Sequence, residues 1–113
     1  MTQFDDREKA YEAQFRMEQE TAFRITVRRD KLLGLWAAGQ IGLEGDEAQA
    51  YAKELICVEL SAGSHDIAHL VFTDLTGRGI TVTEPAVAWQ LVHWHEIARE
   101  QVLAELAGTG KSA

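Results

Sequence analysis

The chain has 113 residues and a mass of 12.6 kDa, the length of one domain. Hydrophobic residues make up 46 % and there is a single proline, which excludes a disordered, collagen-like or proline-rich linker protein. Eighteen acids against eleven bases give a net charge of −7 without a broad basic face, which argues against a nucleic-acid partner.

Cys57 is the sole cysteine, so no intrachain disulfide framework is available, and Met1-Thr2-Gln3-Phe4-Asp5-Asp6 lacks the basic and apolar regions of a signal peptide. A reducing, cytoplasmic compartment is therefore expected. The longest apolar stretches, such as Leu32 to Ala38, fall far short of the roughly 18 residues of a membrane span.

From Asp5 to about Gln40 the chain has no proline, and Glu, Lys, Arg, Gln, Ala and Leu dominate, which predicts one long helix. Its first half has few apolar residues, Phe4, Tyr11, Phe15 and Met17, and too narrow an apolar face to hold it on a core. Its second half carries Phe23, Val27, Leu32, Leu33, Leu35 and Trp36, enough to pack. The helix is accordingly divided near residue 20 into a mobile arm, 1–20, and a docked portion. Gly39, Gly42 and Gly45 punctuate the connection to a second helix, Asp46 to Leu60, whose buried face is expected to be Ala48, Tyr51, Ala52, Leu55 and Val58. Gly63 ends it, and Ser64 is expected to cap a third helix carrying Ile67, Leu70, Val71 and Leu75, closed by Gly77 and Gly79. Ile80-Thr81-Val82 reads as an extended connection. Thr83-Glu84-Pro85 starts a last helix with Val87, Leu91, Trp94, Ala98 and Val102 along one stripe, before Gly108. The fold class is all-α: a small four-helix bundle over 21–108 with a protruding, partly mobile N-terminal arm and a disordered tail, 109–113.

The residues give no pattern of catalysis. Of four histidines, His65 and His69 are four apart and able to share a helix face, but His93 and His95 point about 200° apart on a helix, and no His-Glu-x-x-His or cysteine pair accompanies them. A satisfied core histidine, His95, with three at the surface is the reading adopted, and no metal is expected. Cys57, between Ile56 and Val58, reads as a small core or boundary residue. No nucleophile elbow or glycine-rich phosphate loop is present, so the protein is not read as an enzyme.

Two features carry a functional reading. Arg24, Arg28, Arg29 and Lys31 form a basic cluster in which Arg24 and Arg28 share a face and are able to clamp an anion such as a nucleotide phosphate; the plain alternative is a solvated flank paired with acids. The arm, charged and helix-prone with the aromatic anchors Phe4, Tyr11 and Phe15, looks built to fold into a partner's groove; the plain alternative is a frayed terminus. Helix-in-groove adaptation to an unrelated partner is a third reading.

Phe4-Asp5-Asp6-Arg7-Glu8-Lys9-Ala10-Tyr11-Glu12-Ala13 followed by Phe15, then Arg28-Arg29-Asp30-Lys31-Leu32-Leu33-Gly34-Leu35-Trp36-Ala37-Ala38 and Ala50-Tyr51-Ala52-Lys53-Glu54, closely resemble the zeta subunit of alpha-proteobacterial F-type ATP synthases. The likeness covers the first half of the chain well and the second half mainly in length and helix placement. It implies a four-helix bundle whose N-terminal arm wedges between the catalytic subunits and the central stalk and blocks rotation in the hydrolytic direction. On that likeness the inhibitory arm comprises Phe4, Asp5, Asp6, Arg7, Glu8, Lys9, Tyr11, Glu12 and Phe15. The aromatics would fill apolar clefts, and the charges would set register. The resemblance further implies a non-enzymatic regulator that requires no cofactor, is a monomer when free and is cytoplasmic, held peripherally at the inner membrane through the synthase. ADP or ATP is the implied regulatory ligand on the bundle, assigned to Arg24, Arg28, Arg29 and Lys31. The alternative is a stand-alone adenine-nucleotide-binding bundle without inhibitory activity. The Trp89, His93, Trp94 and His95 cluster has no role in this reading.

Overall fold

Four helices carry the chain in the computed structural model, which describes residues 3–62 and 66–111: α1 (Gln3–Ile41), α2 (Gly45–Ala62), α3 (Ile67–Gly77) and α4 (Glu84–Lys111). No strand occurs among the described residues. The second half of α1 is the central element, with α2 on one side and α4 on the other, while α3 packs on α4 and touches α1. At 1.5 Å per residue the 39 residues of α1 extend about 58 Å. The molecule is correspondingly long, 65 × 31 × 22 Å.

Most of the helix ends have a local cause. Asp5 and Asp6 occupy the first turn of α1, where the exposed N–H groups favour negative charge. Its last turn closes in a Schellman arrangement: Leu43 N–H donates to the Ala38 carbonyl at 2.9 Å and Gly42 N–H to Gly39 at 3.2 Å. That geometry requires the positive φ of +96° found at Gly42. The end of α3 repeats it, with Ile80 N–H on the Leu75 carbonyl and Gly79 N–H on Thr76. The cap at the start of α3 is Asp66, whose Oδ1 accepts from His69 N–H at 3.1 Å, in place of the expected Ser64; Ser64, Gly63 and His65 lie outside the described residues. Thr83 Oγ1 accepts from Ala86 N–H at 3.2 Å and starts α4 as its sequence suggests. That helix continues through Gly108 to Lys111, into the segment expected as a tail.

The core joins Leu33 and Ala37 of α1, Leu55 of α2, Ile67, Val71 and Leu75 of α3 and Val87 of α4, with Trp36 and Trp94 packed against it. Small residues set the spacing of α1 and α2. A Cβ added to Gly34 would stand 2.8 Å from Ala52 Cα, a backbone atom, so the two helices approach as closely as they do because position 34 has no side chain.

Four core assignments need correction. Phe23 is 58 % exposed, because it stands near the point where α1 leaves the bundle. Val58 is 43 % exposed, and Glu59 takes the inward position one turn after Leu55. Cys57 is exposed, because two residues past Leu55 the helix has turned about 200° away from the core. His95 is exposed as well; Trp94 points inward and the next side chain is rotated 100° from it.

Candidate functional site

The N-terminal half of α1 leaves the bundle as an uninterrupted helix. Every residue from Asp6 to Glu20 is exposed, and burial begins at Thr21. A free helix of that length would be marginal in water, since nucleation is unfavourable. Here the packed half of α1 has already formed the nucleus, and each further turn costs only propagation. Gln14 donates to Glu18 at 3.2 Å, an (i, i+4) bond along the arm.

Tyr11 and Phe15 are four residues apart and so share one face, 74 % and 53 % exposed, with Phe4 seven residues earlier in the same helical register. Arg7, Glu8 and Glu18 border this line, Glu12 stands on its flank, and Lys9 and Arg16 lie on the far side. The result is an apolar line with a charged border, the form in which a helix is received by a groove. Of the residues assigned to the arm, Asp5, Asp6, Arg7, Glu8, Lys9, Tyr11, Glu12 and Phe15 are thereby placed on one accessible rod; the side chain of Phe4 lies outside the described ones.

The basic cluster is divided by the helix. Arg24, Arg28 and Lys31 line a groove of about 330 Å³ between α1 and α4, together with Phe23, Val27, Val102 and Glu105. Within it Arg28 donates to Gln101 Oε1 at 2.9 Å and pairs with Glu105 at 2.9 Å. The hydrogen bond from Arg28 holds the Glu105 carboxyl below the usual carboxylate range and holds the guanidinium proton more tightly. Arg29 turns the other way. Its guanidinium donates to Asp30 Oδ1 at 2.8 Å and lies 3.6 Å from Glu59 Oε1 across the α1–α2 interface.

Asp30 and Glu59 are the buried acids of the core, 2 % and 8 % exposed. Glu59 Oε2 faces no donor, and the hydrogen bond between the two carboxyls requires one of them to keep its proton. Burial pushes the Glu59 carboxyl up to about 8; the bond to Asp30 and its charge push the same way, and Arg29 opposes them. The sequence reading missed this pair, although Glu59 falls on the Ala52–Leu55 face and Asp30 stands one turn before Leu33.

Elsewhere Tyr51 Oη donates to Asp74 Oδ2, Arg78 Nε pairs with the same carboxylate at 3.1 Å, and the Arg78 guanidinium lies 5.6 Å above the Tyr51 ring. This cluster ties α2 to α3 and raises the Tyr51 hydroxyl pKa, first by burial and then by the bond to Asp74. On α4, His93 stacks on Trp89 at 5.2 Å and meets Trp94 edge-on at 4.8 Å. Among the described residues no three His, Cys, Asp or Glu side chains converge as a metal site, and no helix is long and apolar enough to cross a membrane.

Compared with known families, residues 1–101 match the family model described as ATPase inhibitor subunit zeta. No curated protein matches the chain in sequence.

Proposed function

Since the chain belongs to the ATPase inhibitor subunit zeta family, which marks it as a regulatory rather than catalytic component associated with ATP synthase, we propose that its arm is the inhibitory element. In this reading the bundle holds the chain on the synthase and residues 4–15 enter a cleft between catalytic subunits and the central stalk. Tyr11 and Phe15 are buried there, and Arg7, Glu8, Lys9 and Glu12 fix depth and direction through charge. The observation that carries it is the exposed helical rod of residues 6–20 with its aromatic line. A helix already formed before docking loses little backbone entropy on binding, which favours a short segment as an effective block.

The test is ATP hydrolysis by the cognate F-type ATPase freed of this subunit. Added full-length protein is expected to inhibit, and protein lacking residues 1–20 is expected to leave hydrolysis unchanged. Equal inhibition by both would move the effector to the bundle.

A second reading, adenine-nucleotide binding on the bundle as a regulatory ligand, is favoured by the groove that gathers Arg24, Arg28 and Lys31 beside the apolar Phe23 and Val27. Arg28 is already paired, so an incoming phosphate must displace Glu105 or use Arg24 and Lys31. ADP titrations against Arg24→Ala and Arg28→Ala decide it, because unchanged affinity in both removes the groove from consideration.

A further inference from the structure

Helix α4 bears two apolar stripes. One is the buried line Val87, Leu91, Trp94, Ala98 and Val102. The other faces solvent about 120° away: Trp89 and Val92, 61 % and 65 % exposed, and Leu103 and Leu106, 40 % and 38 % exposed. Between them on the same line stand Glu96 and Arg99, both exposed. Neither side chain makes an ion pair or hydrogen bond within the described chain. The steps along this second line are three, four, three, four and three, the alternation of a heptad seam that receives another helix.

The order of residues on the seam is the same read from either end in chemical character: apolar, apolar, charged, charged, apolar, apolar. Its midpoint falls between Glu96 and Arg99. A two-fold axis through that point would lay Trp89 against Leu106 of a second copy and Val92 against its Leu103, and would set Glu96 against its Arg99, each contact occurring twice. A parallel pairing would instead stack Glu96 on Glu96 and Arg99 on Arg99. The charge order therefore selects both the occupant and its direction.

We propose that the exposed stripe of α4 is a self-association surface through which two copies of this chain pair antiparallel, joined at the centre by reciprocal Glu96–Arg99 ion pairs. This replaces the monomer expected from sequence and does not depend on the inhibitory reading. The seam is about 26 Å long. Two helices in contact over that length bury less than the roughly 1,200 Å² of a standard stable interface, so the dimer is a weak one, formed as concentration rises.

Sedimentation equilibrium on the full chain between about 10 µM and about 1 mM tests it, a range suited to an interface of this size. The weight-average mass is expected to climb from 12.6 kDa towards twice that value. Glu96→Arg alone and Arg99→Glu alone are each expected to weaken association at least about tenfold by setting like charges together, with helicity unchanged because both sites are exposed. An equimolar mixture of the two variants is expected to associate again. A wild-type chain that stays at monomer mass throughout, and so leaves the stripe to a helix of another protein, overturns the proposal. So does association of either single variant as strong as that of the wild type.

Discussion

Replacing Glu59 with Gln is expected to stabilise the protein in mildly alkaline solution and to remove much of the pH dependence of its stability. In the folded chain the Glu59 carboxyl keeps its proton up to about pH 8, whereas in the unfolded chain it ionises near 4.5. Between those values the native state binds one proton more than the unfolded state, so stability falls as pH rises, by up to about 1.4 kcal/mol per pH unit. Below the lower value there is no penalty, and above the upper one it is constant. That value already includes the opposing pull of Arg29, and because the interface relaxes on ionisation a loss on the order of 2–4 kcal/mol across the window is expected. The amide of Gln has nearly the shape of the neutral acid, donates to Asp30 and does not titrate. Urea midpoints followed by circular dichroism at 222 nm from pH 5 to pH 9 should therefore slope downwards for the native chain and much less for Glu59→Gln, the curves diverging above neutrality. Parallel curves would mean that Glu59 ionises inside the interface without cost, and the reasoning from burial would be wrong.

Gly34→Ala gains helix propensity but drives a Cβ into the Ala52 backbone, for a net loss of about 1–2 kcal/mol, while Gly39→Ala, with nothing within 4 Å, should gain up to about 1 kcal/mol; thermal unfolding compares the two. The double change Tyr11→Ala, Phe15→Ala removes nothing from the core, so unfolding should shift by less than about 0.5 kcal/mol. The same variant should inhibit hydrolysis about tenfold to a hundredfold less for each ring that is buried on docking. Tyr51→Phe leaves Asp74 with Arg78 alone and should cost about 1 kcal/mol in chemical denaturation. Asp66→Ala, which strips the cap from α3, should cost on the order of 1 kcal/mol in the same assay.

The helices were legible because periodicity and punctuation agree: the Val27 to Trp36 stretch packs as its spacing requires, and Thr83-Glu84-Pro85 starts α4 with its hydroxyl in place. Exposure runs from Asp6 to Glu20, because an apolar face that narrow gives a helix nothing to hold. The errors share one cause. Composition marks Val58 and Cys57 as core residues and Glu59 as a surface one, yet register decides, and on a helix one residue means 100°. The division of the basic cluster was hidden for a different reason. Arg28 and Arg29 are neighbours in sequence, but one reaches α4 and the other α2, and only the packing of three helices assigns those partners. The apolar stripe on the outside of α4 escaped because the inner stripe already accounted for that helix.

No loop, proline or glycine separates the exposed half of α1 from its packed half. The arm therefore works as the blade of a key whose bow is the bundle: its azimuth is inherited from the residues seated between α2 and α4. Inserting one alanine near residue 20 would advance the tip by about 1.5 Å and swing the Tyr11–Phe15 line by about 100°, while two flexible glycines there would release it. Lineages of such proteins should accordingly keep the charges that border the Tyr11–Phe15 line, and add or remove residues ahead of Thr21 only in steps close to whole turns.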